Sequence, residues 1–115
     1  MKLRILAFIA IAAMSVTSPA NADFFRGSDI LADCDSHSIG DIKRCHRYLA
    51  GISDAYNALK HSELLTKKVF CFTNSVNLAQ LREIFVKFAW DNPEQLHLPA
   101  GTLVLAVFVK AFPCE

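Results

Sequence analysis

Four cysteines (Cys34, Cys45, Cys71, Cys114) and four histidines are the most chemically versatile residues of this 115-residue chain. Such a set can bind a metal, pair as disulfides, or supply a nucleophile and its base. Metal sites need closely spaced ligands, but there is no Cys-x-x-Cys, and His46 merely follows Cys45. Neighbours on a helix point about 100° apart and cannot easily share a metal. The same divergence argues against Cys45 and His46 as nucleophile and base. Asp33 and Asp35 are close in sequence but fall at an expected helix end, where acids are common. No GxSxG, HExxH, phosphate loop or dinucleotide fingerprint is present. The residues give no positive sign of an enzyme, and no cofactor or metal is expected. An even cysteine count reads instead as two disulfides, provided that the chain is exported. Four cysteines allow three pairings, and the count does not choose among them.

The N-terminus supplies that proviso. Lys2 and Arg4 precede an apolar run from Leu6 to Met14, and Ala20-Asn21-Ala22 is a small-x-small cleavage site before Asp23. Together they mark residues 1–22 as a secretory signal peptide. The apolar run falls short of the roughly 20 residues that span a bilayer. No cysteine lies near the cleavage site, so a lipid anchor is not expected. The short apolar region and simple site look bacterial, which points to a periplasm. Residues 23–115 then form one small domain. Without Lys2 and Arg4 the chain carries ten basic residues against eleven acidic. That balance speaks against a nucleic-acid partner and gives no reason to expect a membrane partner.

Helices must position the cysteines. Ser28 is a plausible N-cap for a short helix to about Cys34. Asp35–Gly40 (DSHSIG) is turn chemistry. Over Asp41–Lys60, Ile42, Cys45, Tyr48, Leu49, Ile52, Tyr56 and Leu59 recur at spacings of three and four and define one helical face. Gly51, Ala55 and Ala58 make a separate small-residue strip, read chiefly as an exposed face. His61–Lys68 (HSELLTKK) breaks the pattern as a loop, Val69–Phe72 is a short apolar stretch, and Asn77 with Gln80 resembles a capping box. A helix follows from Leu78 to Trp90, with Leu78, Leu81, Ile84, Phe85, Phe88 and Ala89 on its apolar face. Val86 and Trp90 lie off that face and belong either to a second packed side or to a dimer or partner surface. Asp91-Asn92-Pro93 ends the helix, and Pro99 suits the start of another. Leu103–Phe112 is apolar on nearly all sides and is the expected centre of the core. Periodicity alone admits a buried strand there; the flanking prolines favour a helix. The sum is an all-α, single-domain bundle of about four helices.

Against this background a family pattern is recognisable. SDILADC (28–34), CHRYLAGISDA (45–55), FC (70–71), VNLAQL (76–81), NPEQLHLPA (92–100) and AFPC (111–114) occur in order. The chain resembles, over about residues 26–115, the Rap/Tai family of immunity proteins, which protect bacteria from type VI secretion amidase effectors. No single motif is specific. The Cys-x-x-Tyr-x-x-Gly-x-x-Asp helix and the terminal Ala-Phe-Pro-Cys, in register with four cysteines, are specific together. Arg47 stands where the family commonly has Gly and Thr73 where it often has Pro, which marks a diverged member.

The resemblance implies a small all-helical periplasmic protein, often a homodimer. Its partner would be a peptidoglycan amidase, whose cleft it blocks without chemistry of its own. The expected disulfides are Cys34–Cys45, across the DSHSIG turn, and Cys71–Cys114, tying Phe70-Cys71 to the C-terminus. The HSELLTKK loop is the first expected partner contact. Leu64 and Leu65 would be apolar anchors, and Glu63, Lys67 and Lys68 part of a charged rim; the competing reading folds both leucines onto the core. Val86 and Trp90 are further contact candidates, as is the connector Asp91–His97. A second function, a small helical periplasmic stress or chaperone-like protein or an envelope protein on the same scaffold, stays open at this level. Its clients would be bound in a pH-dependent way, for which the histidines give some room.

Overall fold

Phe25 is tied to the start of the last helix, its carbonyl accepting from Ala100 N–H at 2.9 Å. The structure, a computed structural model, describes residues 24–115; the expected signal peptide at 1–22 lies outside the described residues. Four helices follow in order: α1 Gly27–Cys34, α2 Ile39–His61, α3 Leu78–Asp91 and α4 Ala100–Ala111, with a 3-10 turn at Pro93–Gln95 before α4. The described residues hold no strand, only an isolated bridge between Arg26 and Pro99. The all-α bundle with two disulfides is the fold expected from sequence.

Each helix boundary has a local cause. The first N–H groups of a helix lack partners inside it. In α1 the Gly27 and Ser28 N–H groups donate to the carbonyls of Leu98 (2.9 Å) and Leu96 (3.0 Å). The N-cap is Arg26, whose own N–H donates to Asp29 Oδ2 at 2.8 Å. The expectation that Ser28 caps this helix is therefore corrected: it lies within the first turn. The connector before α4 takes over the task of a capping hydroxyl, and the helix starts two residues earlier. The start of α2 also moves, to Ile39 with Ser38 at the N-cap, so the turn is shorter than Asp35–Gly40. In α3 the capping box is as read: Asn77 Oδ1 accepts from Gln80 N–H, and Gln80 Oε1 accepts from Asn77 N–H, each at 3.0 Å. Pro99 caps α4.

The core lies between these helices. Ile30 and Cys34 of α1 meet Cys45, Leu49 and Tyr56 of α2, Leu81, Phe85 and Ala89 of α3, and Ala100, Leu103, Val104, Val107 and Phe108 of α4. The α4 residues fall at i, i+3, i+4, i+7 and i+8, which is one helical stripe. The segment read as the core's centre is thus a helix, buried along that stripe and exposing Leu105 and Val109 on its other side. On the expected face of α2, Cys45, Leu49 and Tyr56 are buried, Ile42, Tyr48 and Ile52 are half-buried, and Leu59 emerges into solvent. The strip of Gly51, Ala55 and Ala58 is exposed, and a Cβ at Gly51 would meet nothing within 4 Å.

The long connection between α2 and α3 is held by aromatic packing. Phe70 is buried and stacks on Tyr56 with ring centroids 4.0 Å apart. Phe72 sits edge-on to Phe108 and Phe112, at 5.2 and 4.9 Å. Edge-to-face and offset pairs at these distances are the favourable geometries of aromatic rings.

Candidate functional site

Both disulfides join elements that sequence alone leaves independent. Cys34–Cys45 ties the last residue of α1 to the second turn of α2, and both residues are fully buried. Cys71–Cys114 ties the α2–α3 connection to the penultimate residue of the chain, and both are partly exposed. These are the pairs expected above. No described cysteine is free, so Cys45 cannot act with His46 as a nucleophile and base. His46 has its Nε2 buried without a hydrogen-bond partner. Asp33 and Asp35, close in sequence, serve different partners. Asp33 accepts from Arg44 Nη2 at 3.1 Å, and Asp35 Oδ2 accepts from Trp90 Nε1 at 3.1 Å. No group of three or more His, Cys, Asp or Glu among the described residues is arranged to hold a metal. No helix among them is long and apolar enough to cross a membrane.

The HSELLTKK loop begins with a tight stop to α2. Ser62 N–H donates to Ala58 O, and Glu63 N–H to Lys60 O. Glu63 adopts φ 59°, the left-handed turn that often follows a helix. The chain then turns so that Leu65 N–H reaches back to Leu59 O at 3.1 Å. This geometry separates the two leucines. Leu64 stands in solvent, 74 % exposed, while Leu65 is partly buried against the core. Glu63, Lys67 and Lys68 are exposed beside Leu64. The loop thus presents one apolar anchor in a charged setting, where sequence offered two.

The second group of candidates also divides. Val86 packs against the core from its partly buried position. Trp90 is 63 % exposed, with only its indole N–H engaged, by Asp35.

The polar roles of two residues were not legible in the sequence. Tyr56, read as an apolar contact, buries its hydroxyl under the connection: it donates to Phe70 O at 3.0 Å and accepts from Val69 N–H at 3.0 Å. Arg82 reaches from α3 to the end of α1, donating from Nε to Cys34 O (2.6 Å) and from Nη2 to Ser36 O (3.2 Å). It answers the open carbonyls of the α1 terminus. A lone arginine within an apolar helix was the available signal. Elsewhere the surface carries shallow grooves. One of about 330 Å³ between α3 and α4 is lined by Ile84, Phe88, Val107 and Ala111, with Lys87 paired to Asp91 and Lys110 over the Phe88 ring at its rim.

Comparison with known proteins places this geometry in a family. Residues 26–114 match the family model of Rap1a immunity proteins, which covers every helix and all four cysteines. The chain belongs to the Rap1a immunity protein family. No curated protein and no solved structure gives a significant match.

Proposed function

Taking membership of the Rap1a immunity family as premise, we propose that the protein is an exported immunity protein of the periplasm. In this reading it binds a peptidoglycan amidase effector delivered by type VI secretion. It blocks the amidase cleft sterically and contributes no catalysis. The observation that carries the reading is the family match across the whole helical domain. Two others support it: the signal-peptide pattern of residues 1–22, and four cysteines paired in two bridges, as suits an oxidising compartment. Preorganisation by two bridges lowers the entropy lost when such an inhibitor docks.

The contact assigned to the effector is the loop after α2, with Leu64 as anchor and Glu63, Lys67 and Lys68 around it. An exposed apolar side chain within a polar rim is the usual anatomy of an interface. Trp90, beside Val86, is assigned to a second contact, with the effector or with a second copy in a homodimer. The test is co-purification of the oxidised protein with type VI amidase effectors, followed by a peptidoglycan hydrolysis assay. A stoichiometric complex without hydrolysis is the expected result. Leu64→Asp should abolish the complex while helicity and melting stay unchanged, because this side chain takes no part in the core. Absence of binding across a broad amidase panel would reject the proposed target.

A further inference from the structure

The two disulfides differ in their exposure. Cys34 and Cys45 are fully buried. Cys34 borders a groove of about 240 Å³ that Arg82 and Lys87 also line, but neither cysteine has surface open to it. Cys71 is partly exposed and lines a cleft of about 250 Å³, with Lys60 and Lys68 among its walls. Lys60 holds its ammonium 5.3 Å from the Tyr56 ring centroid, at the same cleft. The disulfide partner of Cys71, Cys114, is partly exposed as well. Accessible sulfurs near cations are the ones that thiolates attack, and sealed bridges are inert.

We propose that Cys71–Cys114 is a thiol–disulfide exchange site for a dithiol reductant, and that this bridge latches the α2–α3 connection reversibly. The reductant's thiolate enters the cleft and bonds to Cys71 Sγ. The Cys71–Cys114 bond breaks, and Cys114 leaves as a thiolate that takes a proton from water. The reductant's second thiol then attacks its own sulfur in the mixed disulfide. Cys71 is released as a thiol, and the reductant departs as a disulfide with two electrons given up. Lys60 and Lys68 favour the first step by attracting the anionic attacker. What the opened latch frees is specific. Of the ties between the connection and the C-terminal segment, the covalent one is lost. The Cys71 N–H bond to Phe112 O (2.9 Å) and the contact of Phe72 with Phe112 then depend on packing alone. Tyr56, Phe70 and Phe108 still anchor the connection to α2 and α4. The helices and Cys34–Cys45 stay in place. The proposal does not depend on the identity of the effector.

The experiment is timed reduction of the oxidised protein by dithiothreitol, with alkylation and peptide mass spectrometry at each point and hydrogen exchange on the same samples. Cys71 and Cys114 should open at least about tenfold faster than Cys34 and Cys45. Far-UV circular dichroism should hold constant while exchange rises within residues 69–76. Lys60→Gln with Lys68→Gln should slow the first opening by about threefold without changing the second. The variant Cys71→Ser with Cys114→Ser should be helical and show the faster exchange without reductant. Opening of both bridges together, or of Cys34–Cys45 first, would overturn the proposal. So would unchanged exchange at 69–76 once Cys71 and Cys114 are reduced, and an unchanged rate in the lysine variant would overturn the steering.

Discussion

A single hydroxyl can hold a segment that has no secondary structure of its own. The Tyr56 hydroxyl satisfies one buried carbonyl and one N–H of the α2–α3 connection, at Phe70 and Val69. Tyr56→Phe keeps the ring stack on Phe70 and strands both groups. Leaving buried polar groups unpaired costs about 1–3 kcal/mol. Urea unfolding should show a loss of that size, and a loss under half a kilocalorie would mean that water replaces the hydroxyl. Ser36 acts at the same scale on charge. Its hydroxyl donates to Asp41 Oδ2 at 2.6 Å, and this bond, helped by the Arg44 guanidinium, holds the Asp41 carboxyl below the usual carboxylate range. Because the folded pKa is depressed, the stability it brings is present above the unfolded value and is lost as pH falls through the folded one. In Ser36→Ala the carboxyl should titrate closer to its ordinary value, read by carbon NMR of Asp41. An unmoved midpoint would assign the shift to Arg44 alone.

Helix packing separates two glycines that look alike in sequence. A Cβ at Gly27 of α1 would lie 2.5 Å from Leu103 Cδ2, 3.2 Å from Leu96 O and 3.3 Å from Leu96 Cα. Leu103 is buried and the other two atoms are backbone, so neither neighbour yields freely. Gly27→Ala should cost about 1–3 kcal/mol by overpacking. Gly51, exposed in the middle of α2, meets nothing. Gly51→Ala should stabilise by about 0.5–1 kcal/mol through helix propensity. Thermal melts of the pair should move in opposite directions; shifts of the same sign would contradict the packing of α1 on α4.

This contrast also explains what the sequence could disclose. The Asn77–Gln80 box and the proline-bounded α4 were legible because their causes lie within a few residues. The cap of α1 was not, since its N–H groups are answered by Leu96 and Leu98, about seventy positions away. Leu64 and Leu65 are chemically identical neighbours, and only the left-handed turn at Glu63 sends one outward and one onto the core. Tyr56 and Arg82 were missed for the same reason: their polar partners come from segments that are remote in sequence or lack any periodic pattern.

At the scale of the molecule, two bridges must be weighed against a small core. Domains are stable by about 5–15 kcal/mol, and small ones lie low in that range. Loop closure alone gives Cys34–Cys45, with a separation of 11, about 3 kcal/mol, and Cys71–Cys114, with a separation of 43, about 4 kcal/mol. By that measure the C-terminal bridge should matter more. Burial reverses the order. Cys34 and Cys45 are fully enclosed among Ile30, Leu49 and their neighbours. Serines there would bury two hydroxyls, each costing about 1–3 kcal/mol where no partner is at hand. At Cys71 and Cys114 the replacement hydroxyls reach solvent and add little. Cys34→Ser with Cys45→Ser should therefore lower the unfolding midpoint further than Cys71→Ser with Cys114→Ser, as measured by guanidinium titration. The opposite ranking would mean that the denatured chain, and not the core, sets the value of these bridges.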